Sequence, residues 1–558
     1  MTDFTISHTA VRKILLNIKT NKAQGPDKIH GKVLKECAVS LAYPLSIIFN
    51  TCFRTGQLPL EWKIANVVPI HKKGNKSNVE NYRPISLTSL VMKSFERIIR
   101  DELYTRCEHL LDSRQHGFLP KRSCTTLMVN YCDSLALSLN FGIDTDVIYF
   151  DFAKAFDSVN HDIMLHKLKN IYKIDGLLLR FICCYLKDRK QRVVIGNCQS
   201  SLTNVNSGVP QGSILGPLLF ALFINDLPSG LSQDTNVAMY ADDTKIWRQI
   251  CSMADCFILQ NDIDYMQNWA TENKMNFHPN KCKVLQVSLK LSNYLLDCLP
   301  FSKYHYTLGN SILEFTSSEK DLGVNITNTL NWNEQCSRLY SKANQMLGLT
   351  KRTTHFVISQ RQRRALYLAL VRSQFEHCSI VWSPYNKTSI DKLETLQKRS
   401  IKWILSEEFF HYSTVVYFQK CKSLDILPLR FRFILNDLIF FHKIFYDLCP
   451  VQFPTYLKPY TGSALRFSHL DSLSIVSDVI PKINASSISA FQPFSNTFFY
   501  RTHSLWNNIP FEIREIKCPL KFKRKVTDIL WSKAYEHFND DMDDSSDIYN
   551  NSIFDDYG

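Results

Sequence analysis

Two adjacent carboxylates, in Tyr240-Ala-Asp-Asp243, constrain the fold of this chain more than any other feature. Alternating apolar residues over 237–241, followed by Lys245-Ile-Trp247, predict a strand, a tight turn and a second strand. Like charges at a hairpin tip repel each other, and a bound divalent cation would remove that cost. An ordinary acidic turn also explains these four residues, so a functional interpretation needs a third carboxylate nearby.

Asp151 is the candidate for the third carboxylate. It follows Asp146-Val-Ile-Tyr-Phe150, an apolar run typical of a buried strand, and precedes a helical stretch that extends to about Tyr172. Alone, Asp151 is equally typical of a helix N-cap. Together with Asp242 and Asp243 it predicts a site for two Mg²⁺ ions, with Mn²⁺ as a possible substitute, because Mg²⁺ prefers hard oxygen ligands.

The charge balance favours a polyanionic partner. The 558 residues carry a net charge of +14, although residues 539–558 contain seven Asp and no cation, so the remainder carries +21. Lysines and arginines that meet phosphates gain from counterion release. Charge alone separates nucleic-acid binding from membrane-surface binding only weakly. The acidic tail over 539–558 is predicted to be disordered.

Neither a secretory leader nor a membrane span is evident in the sequence. Residues 1–10 are polar and mixed, and no run of 18 apolar residues occurs. The aromatic-rich segment Phe431–Tyr446 is interrupted by charged residues and predicts a buried amphipathic helix. The 17 Cys lack a disulfide pattern and indicate reduced thiols. We therefore expect an intracellular protein that is not secreted and has no membrane partner.

At this point the chain resembles the reverse transcriptases of non-LTR, LINE-like retrotransposons of the jockey kind. The resemblance extends from about residue 8 to at least residue 515, and seven motifs occur in the order of that family. They are Asn81-Tyr-Arg-Pro-Ile-Ser86, Gln115-His-Gly-Phe-Leu-Pro-Lys-Arg-Ser123, Phe150-Asp-Phe-Ala-Lys-Ala-Phe-Asp157, Gly208-Val-Pro-Gln-Gly-Ser-Ile-Leu-Gly-Pro-Leu-Leu-Phe220, Tyr240-Ala-Asp-Asp243, Asn276 with Lys281, and Lys320-Asp-Leu-Gly-Val324. A later segment, Phe499–Pro510, is also similar to the family.

The resemblance implies roles for individual residues. Asp151, Asp242 and Asp243 match the metal-binding triad, with Asp151 and Asp242 the stronger ligands. Phe156 matches an aromatic residue under the sugar that excludes a 2′-hydroxyl, although a core aromatic on a helix is the alternative. Gln211 matches the residue that touches the incoming nucleotide and the template, although a loop with turn glycines is the alternative.

Three cations are implied to act on the triphosphate. Arg83 and Arg122 carry guanidinium forks that suit phosphate oxygens. Lys281 would give a proton to the departing pyrophosphate. For each of the three, a solvated surface cation is the alternative explanation.

The fold implied is α+β: a right-hand polymerase with fingers, a palm whose antiparallel sheet packs on helices, a helical thumb, and a mostly helical C-terminal region. We assign residues 1–52 to an N-terminal helical extension and 53–326 to the reverse transcriptase domain. Residues 327–405 are assigned to the thumb and 406–538 to a C-terminal region of unclear role, with the tail at 539–558.

The function implied is RNA-directed DNA polymerisation, with an RNA template, a DNA primer or nicked target DNA, and dNTPs as partners. An RNA-dependent RNA polymerase is disfavoured, because it typically has a polar group at the position of Phe156. The alternative from another class is a catalytically silent or domesticated nucleic-acid-binding remnant of a retrotransposon. We expect neither endonuclease nor ribonuclease H activity. The family implies the nucleus, and the cytoplasm as a ribonucleoprotein; the oligomeric state is open.

Overall fold

A computed structural model describes residues 4–289, 304–354, 358–408, 410–460, 472–479 and 493–539. The predicted acidic tail therefore lies outside the described residues, apart from its first residue.

Three helices precede the first strand: α1 (His8–Leu16), α2 (Gly31–Glu36) and α3 (Ala38–Thr55). The side chain of Ser7 accepts a hydrogen bond from Ala10 N and so starts α1. Gly56 ends α3 with φ +68°, a left-handed conformation that glycine adopts without strain. These helices confirm the helical pattern expected for the N-terminal residues.

From residue 64 to 287, strands and helices are interleaved. The elements are β1 (Ile64–His71), β2 (Tyr82–Leu87), α4 (Leu90–Cys107), α5 (Cys124–Asn140), β3 (Asp144–Phe150), α6 (Ala155–Ser158), α7 (His161–Asn170), α8 (Gly176–Leu186), β4 (Arg189–Ile195), β5 (Cys198–Gln199), β6 (Thr203–Val205), α9 (Gly216–Phe223), β7 (Asn236–Tyr240), β8 (Asp243–Ile250), α10 (Met253–Glu272) and β9 (Lys283–Val287).

Five short strands follow: β10 (Thr307–Leu308), β11 (Ser311–Ile312), β12 (Glu314–Thr316), β13 (Ser318–Asp321) and β14 (Val324–Thr327). Two five-stranded sheets result. The first has the order β2-β1-β4-β5, with β6 also paired to β4. The second has the order β12-β9-β3-β8-β7, and its central strands are antiparallel.

The second sheet is buried on both faces. Ile148 and Ile246 face one hydrophobic core, which also holds α4, α8, α9 and α10. Val147 and Trp247 face the other core, which includes α5 and the helices after residue 332. Alternate residues of one strand thus contribute to two cores, as the period of a β-strand requires.

The rest of the chain is mainly helical and completes the second core. Its elements are α11 (Asn333–Thr353), α12 (Gln360–Leu366), a π-turn at Tyr367–Val371, a 3₁₀ turn at Arg372–Phe375, α13 (Ser379–Trp382), α14 (Lys387–Leu405), α15 (Thr414–Ser423), α16 (Leu429–Phe445), β15 (Leu457–Pro459), β16 (Ile475–Ser477), α17 (Phe498–Asn507), α18 (Phe511–Arg514) and α19 (Pro519–Asn539).

A buried ion pair fixes α17 in this region. Arg501 donates from Nε and Nη2 to the carboxylate of Asp437 in α16, at 3.0 and 2.9 Å. It also donates to the carbonyl oxygens of Ile380 and Asn496, each at 2.6 Å. Burying a guanidinium is tolerated because its charge and donors meet these partners. Arg501, in the Phe499–Pro510 segment, therefore has a structural role here.

The predicted fold class is confirmed as α+β, with an antiparallel sheet packed on helices. The amphipathic helix expected at Phe431–Tyr446 is α16, and ten of its residues are buried. None of the helices in the described part of the chain has the length and apolarity needed to span a bilayer.

One buried carboxyl joins α5 to the C-terminal region and makes stability depend on pH. Tyr456 Oη donates to Asp133 Oδ1 at 2.6 Å. Burial raises the pKa of Asp133 to about 7, although hydrogen bonds from Tyr456 and Thr497 lower it. The folded pKa of Asp133 lies above its unfolded value, so its protonated carboxyl group stabilises the fold. This stabilisation is complete below about pH 4 and is lost as pH rises to about 7.

We expect the free energy of unfolding to fall between pH 5 and pH 8 by up to about 3 kcal/mol more in the wild type than in Asp133→Asn. Urea unfolding followed by tryptophan fluorescence at four pH values measures this. Asp478→Asn is the control, because that carboxylate is half exposed and pairs with Lys458. Parallel pH curves for wild type and Asp133→Asn would contradict the expectation.

Candidate active site

The register of the second sheet brings the three predicted carboxylates to one end of it. Phe150, the last residue of β3, pairs with Thr244 of β8. Asp151 follows β3 directly, while Asp243 is the first residue of β8 and Asp242 lies in the turn before it. The strand, turn and strand predicted at residues 237–247 are confirmed.

The hairpin tip has an unusual backbone. Tyr240 pairs with Asp243, so Ala241 and Asp242 alone form the turn. Ala241 has φ +58°, in the left-handed region that two-residue hairpins need but that favours glycine or asparagine. The tight turn projects Asp242 at the end of the sheet.

The three carboxylates interact electrostatically. Desolvation and the charge of Asp151 raise the pKa of Asp242, while Arg83 and Lys72 lower it. Desolvation and the charges of Asp242, Asp321 and Asp151 raise the pKa of Asp243 to about 6. Negative charge is therefore concentrated at the sheet end, and a cation there would be stabilised.

Lys281 is the cation nearest to Asp151. Its Nζ lies 3.2 Å from Asp151 Oδ2. The surrounding segment is fixed by backbone bonds, since His278 N donates to the carbonyl of Asp151 at 2.8 Å and Ala153 N to that of Asn276 at 2.8 Å. The predicted residue Lys281 thus lies at the carboxylates, although both partners remain substantially exposed to solvent.

The carboxylates fit a hard divalent cation, because they are oxygen donors and Asp151 and Asp242 repel each other. Among the described residues, Lys281 is the one cation paired with Asp151. Over the described ranges, however, no three His, Cys, Asp or Glu side chains are grouped so that they could hold a metal ion together. Asp243 contributes charge to the site without completing such a group. Asp151 and Asp242 as the principal ligands stay a prediction.

Phe156 lies half-buried near this end of the sheet. Its ring stacks on Phe220 of α9 with centroids 4.6 Å apart and packs edge-on against Phe118 at 5.6 Å. Its carbonyl accepts a hydrogen bond from Val209 N at 2.8 Å. The ring is held on two sides, so its position is well defined.

Gln211 lies in a loop that joins the two sheets. Its carbonyl accepts from Ser86 N of β2 at 2.8 Å, and its side chain hydrogen-bonds Asp157. A Cβ on Gly212, at φ +122°, would lie 2.5 Å from the carbonyl oxygen of Ser86; one on Gly208, at φ +86°, would lie 2.7 Å from Asp157 Cα. Both glycines are required by close backbone approach.

Glu96 also supports this loop, and sequence reasoning missed it. Its buried Oε2 accepts from Ile214 N at 2.6 Å and from Leu215 N at 3.2 Å, immediately before α9. Burial raises the pKa of this carboxyl. The sequence could have indicated Glu96, because it is a single acidic residue next to Phe95 on the apolar face of α4, where an unpaired charge is costly.

The two predicted arginines differ in their surroundings. Arg83 is exposed on β2 and its charge acts on Asp242. Arg122 instead donates from Nη1 to the carbonyl oxygens of Asp112 and Ser113, at 2.7 and 3.2 Å. Arg122 therefore stabilises a loop, and its expected contact with a triphosphate stays a prediction.

That loop pairs with β7, the edge strand of the second sheet. Residues 114–116 run beside β7, with His116 N donating to the carbonyl of Met239 at 2.8 Å and Met239 N to that of Arg114 at 3.1 Å. Next to them, Gly117 meets the hairpin tip so closely that a Cβ would lie 2.2 Å from Ala241 N. The loop after α4 is in direct contact with the turn that carries Asp242.

A second contact ties the hairpin to the turn before α11. Lys245 of β8 forms a buried ion pair with Asp321 at the end of β13. Its Nζ also lies 4.2 Å above the ring of Tyr131. The Lys320–Val324 segment forms the hairpin between β13 and β14.

Carboxylates placed after one strand and at the tip of the neighbouring hairpin, on an antiparallel sheet covered by helices, are the arrangement that the resemblance implied for the palm. Residues 70–326 match the family model described as "Reverse transcriptase (RNA-dependent DNA polymerase)". This segment is a reverse transcriptase domain.

Similar curated proteins come from non-LTR elements. The chain is 26% identical over 418 residues to the RNA-directed DNA polymerase from mobile element jockey of Drosophila funebris, which covers 71% of this chain and 43% of that protein. It is 26% identical over 426 residues to the probable RNA-directed DNA polymerase from transposon BS of Drosophila melanogaster, covering 73% and 46%. The resemblance to jockey-type reverse transcriptases is confirmed, and the chain spans less than half the length of these relatives.

A solved telomerase structure from Candida tropicalis, in complex with a fragment of telomeric RNA, is only weakly similar. It has a TM-score of 0.39 and 12% identity, with 72% of this chain and 65% of that chain covered. A similarity this low adds nothing to the assignment.

We expect Gly117→Ala to destabilise the protein by about 1–3 kcal/mol or more, because the new methyl group meets backbone atoms of Ala241 that cannot rotate away. Thermal unfolding measures the loss. The control is Gly348→Ala in α11, where the nearest atom to a Cβ is Arg352 Nη1 at 3.4 Å. There, alanine should stabilise the helix by about 0.5–1 kcal/mol. Equal effects of the two substitutions would contradict the close approach of Gly117 to the turn.

Proposed function

We propose that the chain is an RNA-directed DNA polymerase that extends a DNA primer on an RNA template with dNTPs, as part of retrotransposition. The observation that carries the proposal is the electrostatic coupling of Asp151 to Asp242 at the end of the sheet in a reverse transcriptase domain. Similarity to RNA-directed DNA polymerases of mobile elements supports it.

Asp151 and Asp242 are proposed to hold two Mg²⁺ ions, with Asp243 at the edge of the site and Mn²⁺ as a substitute. When bound, such ions activate a primer 3′-hydroxyl and stabilise the leaving pyrophosphate. The protein contributes fixed carboxylates whose repulsion favours cations, and Lys281 competes with a cation for Asp151. Most of the acceleration then comes from positioning and electrostatics.

Cations around the carboxylates are proposed to bind the triphosphate. Arg83 and Lys72 support this role, because their charges already act on Asp242 from the exposed end of the first sheet. Lys281 is proposed to give a proton to the departing pyrophosphate. Arg122 is proposed to assist through the loop that it stabilises.

Phe156 and Gln211 are proposed to contact the nucleotide. A ring held between Phe220 and Phe118 cannot move aside for a 2′-hydroxyl, which supports selection of deoxynucleotides. The side-chain bond of Gln211 to Asp157, directly after Phe156, would place it beside the same nucleotide.

The remaining assignments are proposals of the same kind. Residues 53–326 would form fingers and palm after an N-terminal extension (1–52), and 327–405 the thumb. Exposed Lys342, Lys392 and Arg399 on the packed helices α11 and α14 support a backbone grip on the template–primer duplex. If nicked target DNA supplies the primer, the polymerase would act in the nucleus. The ribonucleoprotein would assemble in the cytoplasm.

Primer extension on poly(rA)/oligo(dT) with Mg²⁺ tests the polymerase directly. We expect dTTP incorporation by the wild type and a loss of about 1,000-fold or more in Asp242→Ala, which removes a metal ligand. Asp264→Ala, an exposed carboxylate on α10, is the control and should remain active. A wild type that binds template–primer without incorporating dTTP would overturn the proposal and favour the catalytically silent remnant.

Discrimination between dTTP and UTP tests the role of Phe156. We expect Phe156→Val to lower the ratio of kcat/KM for dTTP over UTP by about 10- to 100-fold, because the smaller side chain leaves room for the 2′-hydroxyl. Phe156→Tyr keeps the ring and should keep the discrimination. Unchanged discrimination in a folded Phe156→Val enzyme would rule out the proposed sugar contact.

A further inference from the structure

The side chain of Gln115 is fully buried beside the hairpin tip. Its Oε1 accepts two backbone hydrogen bonds, from Ala241 N at 2.9 Å and from Gly117 N at 2.6 Å. Its backbone forms a parallel bridge to Met239 on the edge of the sheet. One amide oxygen thus joins two chain segments that are 126 residues apart.

Ala241 depends on this acceptor. The residue is buried, and its left-handed backbone costs a residue with a side chain about 1–2 kcal/mol. A buried peptide N–H also needs a hydrogen-bond partner. The bond from Ala241 N to Gln115 supplies that partner and holds the Tyr240–Ala241 peptide, at the start of the turn that carries Asp242.

We propose that Gln115 is a positioning residue for the Asp242 carboxylate, acting through the Ala241 amide; the inference rests on the proposed polymerase function. In this two-residue turn, Ala241 is the one residue between β7 and Asp242. Rotation of the Tyr240–Ala241 peptide would change the path of the turn and so move the Asp242 carboxylate relative to Asp151. Gln115 prevents the rotation, so the geometry of the two principal ligands is set by a residue outside the palm strands.

Gln115 is itself held firmly. Arg122 Nη1 bonds to carbonyl oxygens on the N-terminal side of it, including those of Asp112 and Ser113. On the other side, His116 Nδ1 lies 2.8 Å from Thr126 Oγ1 at the start of α5. Burial and the charges of Arg122 and Lys245 lower the pKa of His116 to about 4, so the ring is neutral at pH 7. A positioning residue requires this kind of fixed support.

The chemistry of the side chain is specific. Methionine has a similar length but offers no oxygen acceptor, so Gln115→Met removes both bonds while largely preserving volume. Glutamate keeps an oxygen at the same reach, so Gln115→Glu retains the acceptor. The pair of variants separates loss of the hydrogen bond from loss of packing.

The test measures Mn²⁺ binding by electron paramagnetic resonance, together with steady-state primer extension, on the full chain. In Gln115→Met we expect Mn²⁺ affinity and kcat to fall about 10- to 100-fold, as for other residues that orient metal ligands, while KM for template–primer is unchanged. Gln115→Glu should bind Mn²⁺ nearly as the wild type does.

Gln397→Met is the matched control for stability. It makes the same change at a fully buried glutamine of α14, whose side chain hydrogen-bonds two tyrosine hydroxyls and a backbone carbonyl, and it does not touch Ala241. A folded Gln397→Met protein should keep wild-type Mn²⁺ affinity. Equal losses in Gln397→Met and Gln115→Met, or no loss in Gln115→Met, would overturn the positioning role. An inactive wild type that still binds Mn²⁺ in a Gln115-dependent way would instead count against the proposed function alone.

Discussion

The pairing of β3 with β8 is the interaction on which the rest of the site depends. Its register decides which residues stand at the end of the sheet, and a slip of one residue would turn every side chain of β3 to the opposite face. Two cores oppose such a slip, because Ile148 packs into one and Val147 into the other. Asp151 therefore stands beside the hairpin because apolar side chains along β3 leave that strand a single stable position.

Packing also explains how repelling carboxylates can be kept together. The raised pKa values of Asp242 and Asp243 are the cost of holding them in one place. Cations reduce this cost: Arg83 and Lys72, at one end of the first sheet, lower the pKa of Asp242, and Lys245 of β8 lowers that of Asp243. The site is thus built at the meeting point of the two sheets, although its carboxylates belong to the second.

The local sequence pattern predicted the strands and the turn that contain the three carboxylates. It could not predict the long-range contacts that hold these elements in place. Alternation and turn chemistry identified the hairpin at Tyr240–Asp243, and an apolar run identified β3. Gln115 contacts Ala241, and Glu96 contacts Ile214, only after the chain has folded across more than a hundred residues. Neither contact produces a periodic pattern in the sequence. Arg122 was expected to contact the triphosphate because its guanidinium suits phosphate oxygens. In the structure it donates hydrogen bonds to backbone carbonyl oxygens.

The C-terminal region, whose role the sequence left unclear, belongs to the same physical unit as the palm. Trp382, Phe433 and Trp506 share a core with Val147 and Trp247 on the far face of the sheet. The same face carries Lys245, which pairs with Asp321 before α11. Because interiors are close-packed, a change in the C-terminal helices alters the support behind β8. The strand that starts with Asp243 is therefore held between the core that contains α4, α8, α9 and α10 on one face and the C-terminal region on the other, and the two cannot vary independently.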